Sequence, residues 1–365
     1  SSGLYRVVED LDPALFTRIQ KRAREGRWEP VGGRVSEGDL NLVSPESHVR
    51  QFLLGQRYFR EKLGRTATIG FEPDSFGHPW TMPSILVNSG INGYYFCRGG
   101  RNKPVFWWQA LNGDKVPAFD DTAAGSWYNG TVIPNALETV ATFKEKTGLN
   151  TMLRVYGVGN HGGGPTYEQL ESARGMQKVP YYPKTRFSTL AEYFSDINKQ
   201  GLSGLPVVNQ ELNAVFQGCY TTHGAIKRLN RDAENALTSA ETTATAASFY
   251  GFPYPAARFR ALWEDLLANQ HHDTLLGSAI HETYDKTREQ VGYVVAEAKA
   301  ILGDATRYLA SYANRPKNAK YAVFAYNPLG WQRTGRVRIG WPFPPDKDKW
   351  VAVDPDGRWY PVTII

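Results

Sequence analysis

Three short segments of this chain bring together residue types that can do chemistry. In Gly70-Phe71-Glu72-Pro73-Asp74-Ser75-Phe76-Gly77-His78 a carboxylate, Asp74, follows a strand-like run and precedes an apolar helix predicted over 80–89. An aspartate at a strand end is well placed to attack a substrate or to bind a metal; the competing reading is that Asp74 caps the helix after it. In Gln270-His271-His272-Asp273 two imidazoles adjoin a carboxylate at the end of an amphipathic helix. Neutral imidazole is the commonest nitrogen ligand for zinc and a neighbouring carboxylate orients it, although surface histidine pairs also occur without function. The third segment, Val158-Gly159-Asn160-His161-Gly162-Gly163-Gly164-Pro165-Thr166, holds three glycines in a row. Such a run either lets a ligand approach the backbone closely or makes a flexible loop. It is not a phosphate loop, because the Gly-Lys-Ser/Thr ending is missing and Pro165 follows the glycines.

The elements that must position these residues are legible from hydrophobic periodicity. Residues 1 to about 64 read as helical segments joined by a Gly-rich turn, with helices over 13–24 and 47–63 and with Ser44 and Ser47 as candidate caps for the second. Strand-like runs follow at 66–71, 93–97, 152–158 and 206–208, each ending near Gly, Asp or Arg. Strands spaced by helices predict an α/β domain with a mainly parallel sheet and functional residues at the strand C-termini. From about Ala225 the texture turns helical over 227–248, 255–269 and 281–313, which predicts a three-helix bundle. From Lys317 onwards alternation at 321–325 and 337–339, among Pro and Gly turns, reads as the opening strands of a β domain. The expected domains are therefore 1–224, 225–315 and 316–365.

Bulk properties narrow the function classes. With 365 residues, 41% hydrophobic and 13% aromatic, the chain can bury two or three cores and is not intrinsically disordered. Its 42 Lys and Arg against 36 Asp and Glu give a net charge of +6 without a long basic block, which argues against nucleic acid as a partner. Cys97 and Cys219 lie far apart and make neither a disulfide framework nor a metal-type pair. No stretch approaches the roughly 20 apolar residues of a membrane span. The first residues lack the basic and apolar regions of a signal peptide, and neither compartment nor oligomeric state is legible.

In order and spacing the three segments resemble family 38 of the glycoside hydrolases, the zinc-dependent retaining α-mannosidases, in their bacterial type. Further blocks agree: Gly26-Arg27-Trp28-Glu29-Pro30-Val31-Gly32-Gly33, Asn41-Leu42 with Pro45-Glu46-Ser47 and Val49-Arg50-Gln51, Gly218-Cys219-Tyr220-Thr221-Thr222 with Lys227-Arg228 and Asn230-Arg231, and Asn327-Pro328-Leu329. The resemblance implies an incomplete barrel-like β/α catalytic domain, a three-helix bundle and the start of a β-sandwich domain. It also implies Zn2+ as cofactor and a mannose-containing glycan as substrate. Asp74 would be both nucleophile and zinc ligand, and His272 a second zinc ligand. Phe76, Arg98 and Asp273 would line or order the mannose site, with His271 outside the coordination shell. A retaining glycosidase needs one carboxylate to attack the anomeric carbon and a second carboxyl group about 5 Å away to protonate the leaving oxygen.

Two departures from the family pattern stand out. The family's zinc site is completed by a His-x-Asp pair on its first strand, and this chain has no histidine before His48. The expectation is a chain lacking that first strand and most of the C-terminal β domain, with Asp74 and His272 alone binding metal weakly. The second departure is Asn160, where related sequences carry the proton-donating Asp; an amide has no proton to give, so general-acid catalysis should be lost. Two other functions compete with α-mannoside hydrolysis. One is a non-catalytic mannoside-binding protein that kept the pocket after losing its acid; the other is a metal-dependent polysaccharide deacetylase on a similar incomplete barrel.

Overall fold

The computed structural model describes residues 1–130, 136–159, 163–213, 215–314, 321–340, 351–354 and 356–362. Ahead of the first strand lie three helices: α1 (Ser2–Leu11), α2 (Pro13–Arg24) and α3 (Pro45–Leu63). Local chemistry sets their ends. The Asp12 carboxylate accepts the Leu15 N–H at 2.8 Å ahead of Pro13, and Lys21, Arg22 and Arg24 face the carbonyl end of α2. Ser44 caps α3 by accepting the Ser47 N–H, so Ser44 is the cap and Ser47 is not; the Ser47 hydroxyl turns inward to Glu234. At Gly55 a Cβ would stand 2.4 Å from the Gly33 carbonyl oxygen, so α3 can lie this close to the 32–35 turn only with glycine there.

Five strands form one open, mixed sheet: β1 (Ile69–Glu72), β2 (Gly93–Phe96), β3 (Val105–Gln109), β4 (Lys115–Asp120) and β5 (Val207–Val208). Their order is β1-β2-β4-β3-β5, with β3 antiparallel to β4 and the other pairs parallel. Side chains alternate by the period of two. Tyr94, Phe96, Phe106, Trp108, Val116 and Ala118 enter one apolar layer, with Met82 and Leu86 of α4 (Met82–Asn88). Tyr95, Cys97, Val105 and Phe119 enter the other, with Phe143 of α5 (Ala136–Thr147) and Tyr193, Phe194 and Ile197 of α7 (Leu190–Gln200). Between those two helices lies α6 (Tyr167–Met176). Sheet edges fall at β1 and β5, so barrel-like closure is not present among the described residues.

Residues 152–158 do not form the strand expected of them. Met152, Leu153 and Val155 pack as extended chain against the second apolar layer without joining a ladder. Three long helices, α8 (Gly224–Ser248), α9 (Ala256–Asn269) and α11 (His281–Ala310), share a core of Leu237, Trp263, Leu266, Val294 and Ile301. The short α10 (His272–Leu276) precedes α11. Residues 321–325 and 337–339 carry no strand either; Val323 and Val337 are exposed, so their alternation serves no buried face. The paired strands after α11 are β6 (Val351–Val353) and β7 (Trp359–Pro361), antiparallel and exposed.

Candidate functional site

The register of the parallel strands builds the site. Glu72 at the end of β1 pairs with Phe96 at the end of β2 and Phe96 with Asp120 at the end of β4, so the residues that follow leave the sheet at one level. Asp74 and Arg98, each two positions past its strand, therefore stand side by side. Arg98 Nε donates to Asp74 Oδ1 at 2.5 Å, and a second guanidinium nitrogen contacts the same oxygen. The guanidinium is held by aromatic faces, 5.4 Å from Phe76, 4.8 Å from Trp127 and 5.0 Å from Phe216. Tyr128 Oη donates to Asp74 Oδ2 at 3.1 Å. The helix that follows begins after Thr81, so Asp74 is not its cap.

The second half of the site arrives from the helical region. After α9 the chain makes an antiparallel bridge between His271 and Gly38, and Gln270 carbonyl accepts the Asp39 N–H at 2.8 Å. His272 is thereby carried to Asp74, far away in sequence. Its Nε2 stands 3.7 Å from Asp74 Oδ2 and 3.6 Å from Asp273 Oδ2. The other ring nitrogen, Nδ1, donates to the Glu37 carbonyl at 2.9 Å. The sequence reading left His271 aside, yet its ring lies 4.2 Å from that of His272, and ligand atoms of His271, His272 and Asp273 lie within 4.8 Å of one another. Phe76 closes one side, 5.7 Å from the His272 ring.

The electrostatics follow from this crowding. Burial alone would raise the Asp74 carboxyl, but the neighbouring His272 and Arg98 outweigh it and bring it to about 2. For His272 burial alone would lower the imidazole, and the Asp74 carboxylate with Glu37 raises it to about 9. Desolvation pushes Glu37 up to about 7 against the pull of His272, helped by the nearby Glu72 carboxylate. Asp74 is thus ionised across the whole neutral range.

A divalent cation fits these residues. His272 Nε2 is buried with no hydrogen-bond partner and faces two carboxylate oxygens. Ligand atoms about 2.1 Å from one ion at the tetrahedral angle stand about 3.4 Å apart, close to the spacings observed. His272 also shows the usual arrangement of a metal-binding imidazole, one nitrogen turned inward and the other donating to a carbonyl.

Several site residues escaped the sequence reading. Glu37 lies in Ser36-Glu37-Gly38-Asp39, and its acidic character beside the Gly32-Gly33 turn was the available signal. Trp127 and Tyr128 follow Asp120-Asp121 at the end of β4, a strand that the reading missed. Asn160 and His161 lie outside the described residues. The flanking Gly159 and Gly163 form a bridge, and Gly159 rests against Tyr128, the tyrosine bound to Asp74: at φ 68°, a Cβ there would meet the Tyr128 ring at 3.1 Å. A groove lined by Thr68, Asn92, Phe194 and Asn198 lies at the opposite, N-terminal end of β1 and β2. Sites on parallel sheets sit at strand C-termini, where Asp74 and Arg98 are, and not there.

A mixed sheet thus carries a carboxylate and a guanidinium at its strand ends, and the helical region brings an imidazole to them. The fold resembles that of an α-mannosidase from Enterococcus faecalis V583, with a TM-score of 0.71 at 22% identity over 83% of this chain and 36% of that one. Residues 2–216 match the Glycosyl hydrolases family 38 N-terminal domain and residues 214–309 the Alpha mannosidase middle domain. The chain belongs to glycosyl hydrolase family 38. It is 30% identical to human Alpha-mannosidase 2C1 over 89% of its own length and 29% identical to an Alpha-mannosidase of Saccharomyces cerevisiae over 91%. In both cases it spans about a third (32%) of the relative's length. No helix among the described residues is long and apolar enough to cross a membrane.

Proposed function

We propose that this chain carries the core of a zinc-dependent retaining α-mannosidase site that acts on terminal α-mannosides. The observation that carries the reading is the meeting of Asp74 Oδ2 and a buried His272 Nε2 at 3.7 Å, a contact longer than a hydrogen bond. Asp74 is the nucleophile: its carboxyl, held to about 2, is ionised at any working pH and forms the glycosyl-enzyme. Arg98 and Tyr128 fix the two oxygens of Asp74, while Phe76, Arg98 and Asp273 order the sugar. Asp74 and His272 would hold Zn2+, which would supply charge stabilisation to the sugar when bound. Asn160 takes the acid/base position by the order of the motif Gly159-Asn160-His161-Gly162-Gly163-Gly164-Pro165. We assign residues 1–224 to the catalytic domain, 225–315 to a helical domain and 316–365 to the start of a β-rich domain; the match boundary at 214–216 and the shared core of α8, α9 and α11 support this. Family membership leaves the deacetylase alternative without support.

The test is Asn160→Asp, measured in this chain and in a form extended upstream by a His-x-Asp segment. Hydrolysis of natural α-mannosides, whose alkoxide leaving groups need a proton, should rise by about 10²- to 10⁴-fold. A dinitrophenyl mannoside departs without protonation, so its first step should depend little on residue 160. Its glycosyl-enzyme on Asp74 should accumulate in the Asn160 form and be released by azide, which needs no base. Equal activity of both forms on a natural disaccharide refutes the role given to Asn160. Binding of mannose-like inhibitors by both forms, with turnover by neither, establishes a non-catalytic mannoside-binding protein instead.

A further inference from the structure

We propose that Glu37 is the positioning residue of the Asp74–His272 pair, its carbonyl oxygen orienting the His272 ring and its carboxylate holding the backbone of Asp74; the inference rests on the metal reading above. Both halves of the site touch this one residue. The Glu37 carbonyl accepts the His272 N–H at 3.2 Å and Nδ1–H at 2.9 Å, which leaves Nε2 as the nitrogen that faces Asp74. Glu37 Oε1 accepts the Asp74 N–H at 2.8 Å, and among the described residues that N–H has no second acceptor. A metal-binding imidazole needs its second nitrogen tied to an acceptor, and here the same residue ties the backbone of the opposing carboxylate.

Glu37 can act this way because its own segment cannot slide. The Ser36 N–H donates to Gln51 Oε1 at 3.0 Å and its hydroxyl to the Leu267 carbonyl at 2.8 Å. Ser75 Oγ reaches the Gly38 carbonyl at 3.2 Å, and the Asp39 N–H bonds the Gln270 carbonyl at 2.8 Å. Gly38 lies so close to the chain at Gln270 that a Cβ there would stand 2.8 Å from the Gln270 carbonyl oxygen. Residues 36–39 therefore form a brace between the sheet and the end of α9. Among these residues only position 37 contacts Asp74 and His272 together.

The test compares Glu37→Gln, Glu37→Asp and Glu37→Ala in the full chain, reading zinc uptake by equilibrium dialysis and, in the metal-free chain, hydrogen exchange of the Asp74 amide. Gln keeps an oxygen at the same reach, so zinc affinity should stay within about 3-fold and the Asp74 amide should stay protected. Asp withdraws the acceptor by about 1.5 Å and Ala removes it; each should weaken zinc binding by about 10- to 100-fold and expose the Asp74 amide, with far-ultraviolet circular dichroism unchanged. A Gln variant as weak as Ala, or an Asp variant with an unaltered Asp74 amide, overturns the positioning role. Zinc uptake absent from the unaltered chain sinks the metal reading alone, because the amide exchange still decides the role of Glu37.

Discussion

Glu234 of α8 is 2% exposed, and removing it should be among the costliest single changes in the chain. Its Oε1 accepts the Ser44 N–H at 2.8 Å, the Ser47 hydroxyl at 2.6 Å and Gln270 Nε2 at 3.2 Å, while Arg231 faces Oε2 at 2.7 Å. Glu234→Ala leaves three donors in a dry site. Each orphaned donor costs about 1–3 kcal/mol, but Gln270 keeps Asn230 and Ser47 as acceptors at 3.0 Å and the half-exposed Arg231 turns to water. The net expectation is about 3–5 kcal/mol, the range for stripping one partner from a buried charged contact. Glu234→Gln keeps one oxygen for the two serines and should cost about 1–2 kcal/mol. Urea unfolding followed by circular dichroism, with the slope m unchanged, reads both values. Because Gln270 directly precedes His271 and His272, hydrogen exchange over 270–273 should rise in the Ala variant. A loss below about 1 kcal/mol for Glu234→Ala, or unchanged exchange there, would refute the reasoning.

Two further outcomes follow from named groups. His48, pulled by burial to about 3, and His78, pulled to about 4 and bonded to Tyr94 Oη and the Arg98 carbonyl, are neutral in the folded chain, whereas the unfolded chain protonates them below about 6.5. Their folded values are depressed, so this stability is complete above about pH 6.5 and is lost as pH falls toward 4; unfolding free energies from urea titrations should fall by about 1.4 kcal/mol per group for each pH unit below about 6, and His78→Gln should flatten that slope. Arg98→Lys discards both the fork on Asp74 Oδ1 and the stacking on Trp127 and Phe216, and should lower kcat/KM for an activated aryl mannoside by about 10- to 100-fold; unchanged kinetics would remove Arg98 from the site.

How much of this was legible depends on whether side-chain type or backbone geometry carries the role. The helix at Pro13–Arg24 was read to the residue because periodicity, cap and terminal charges agree. The ends of β1 and β2 were legible because each apolar run stops at a polar residue, and the parallel register then places Asp74 beside Arg98. The antiparallel pair of β3 and β4 went unread although Asn112-Gly113, a pairing signal, lies between Val105–Gln109 and Lys115–Asp120; the expectation was a mainly parallel sheet. The run at 152–158 has the composition of a strand, but its apolar residues are used for packing and it joins no sheet among the described residues. Glu37 was only half legible, for a different reason. Half of its role is exerted by a carbonyl oxygen, which every residue type possesses.

The same contrast explains why the site is assembled across a polar seam. Asp74 belongs to the region matching the family's N-terminal domain and His272 to the region matching its middle domain, so the site exists only when sheet and helices dock in one register. Apolar surfaces alone would permit sliding, since contact area changes little over a shift of an ångström. The seam instead carries directional contacts: Gln51 Nε2 to the Leu267 carbonyl at 2.9 Å, Gln270 Nε2 to Ser47 Oγ at 3.0 Å, Arg50 to Glu241 at 2.8 Å, and Arg6 to Glu264 at 2.7 Å. A hydrogen bond weakens steeply over the displacement that an apolar contact tolerates. Several in series therefore convert loose docking into a fixed spacing. The His272–Asp74 separation is set by that seam, and a ligand pair for a small cation tolerates only a few tenths of an ångström.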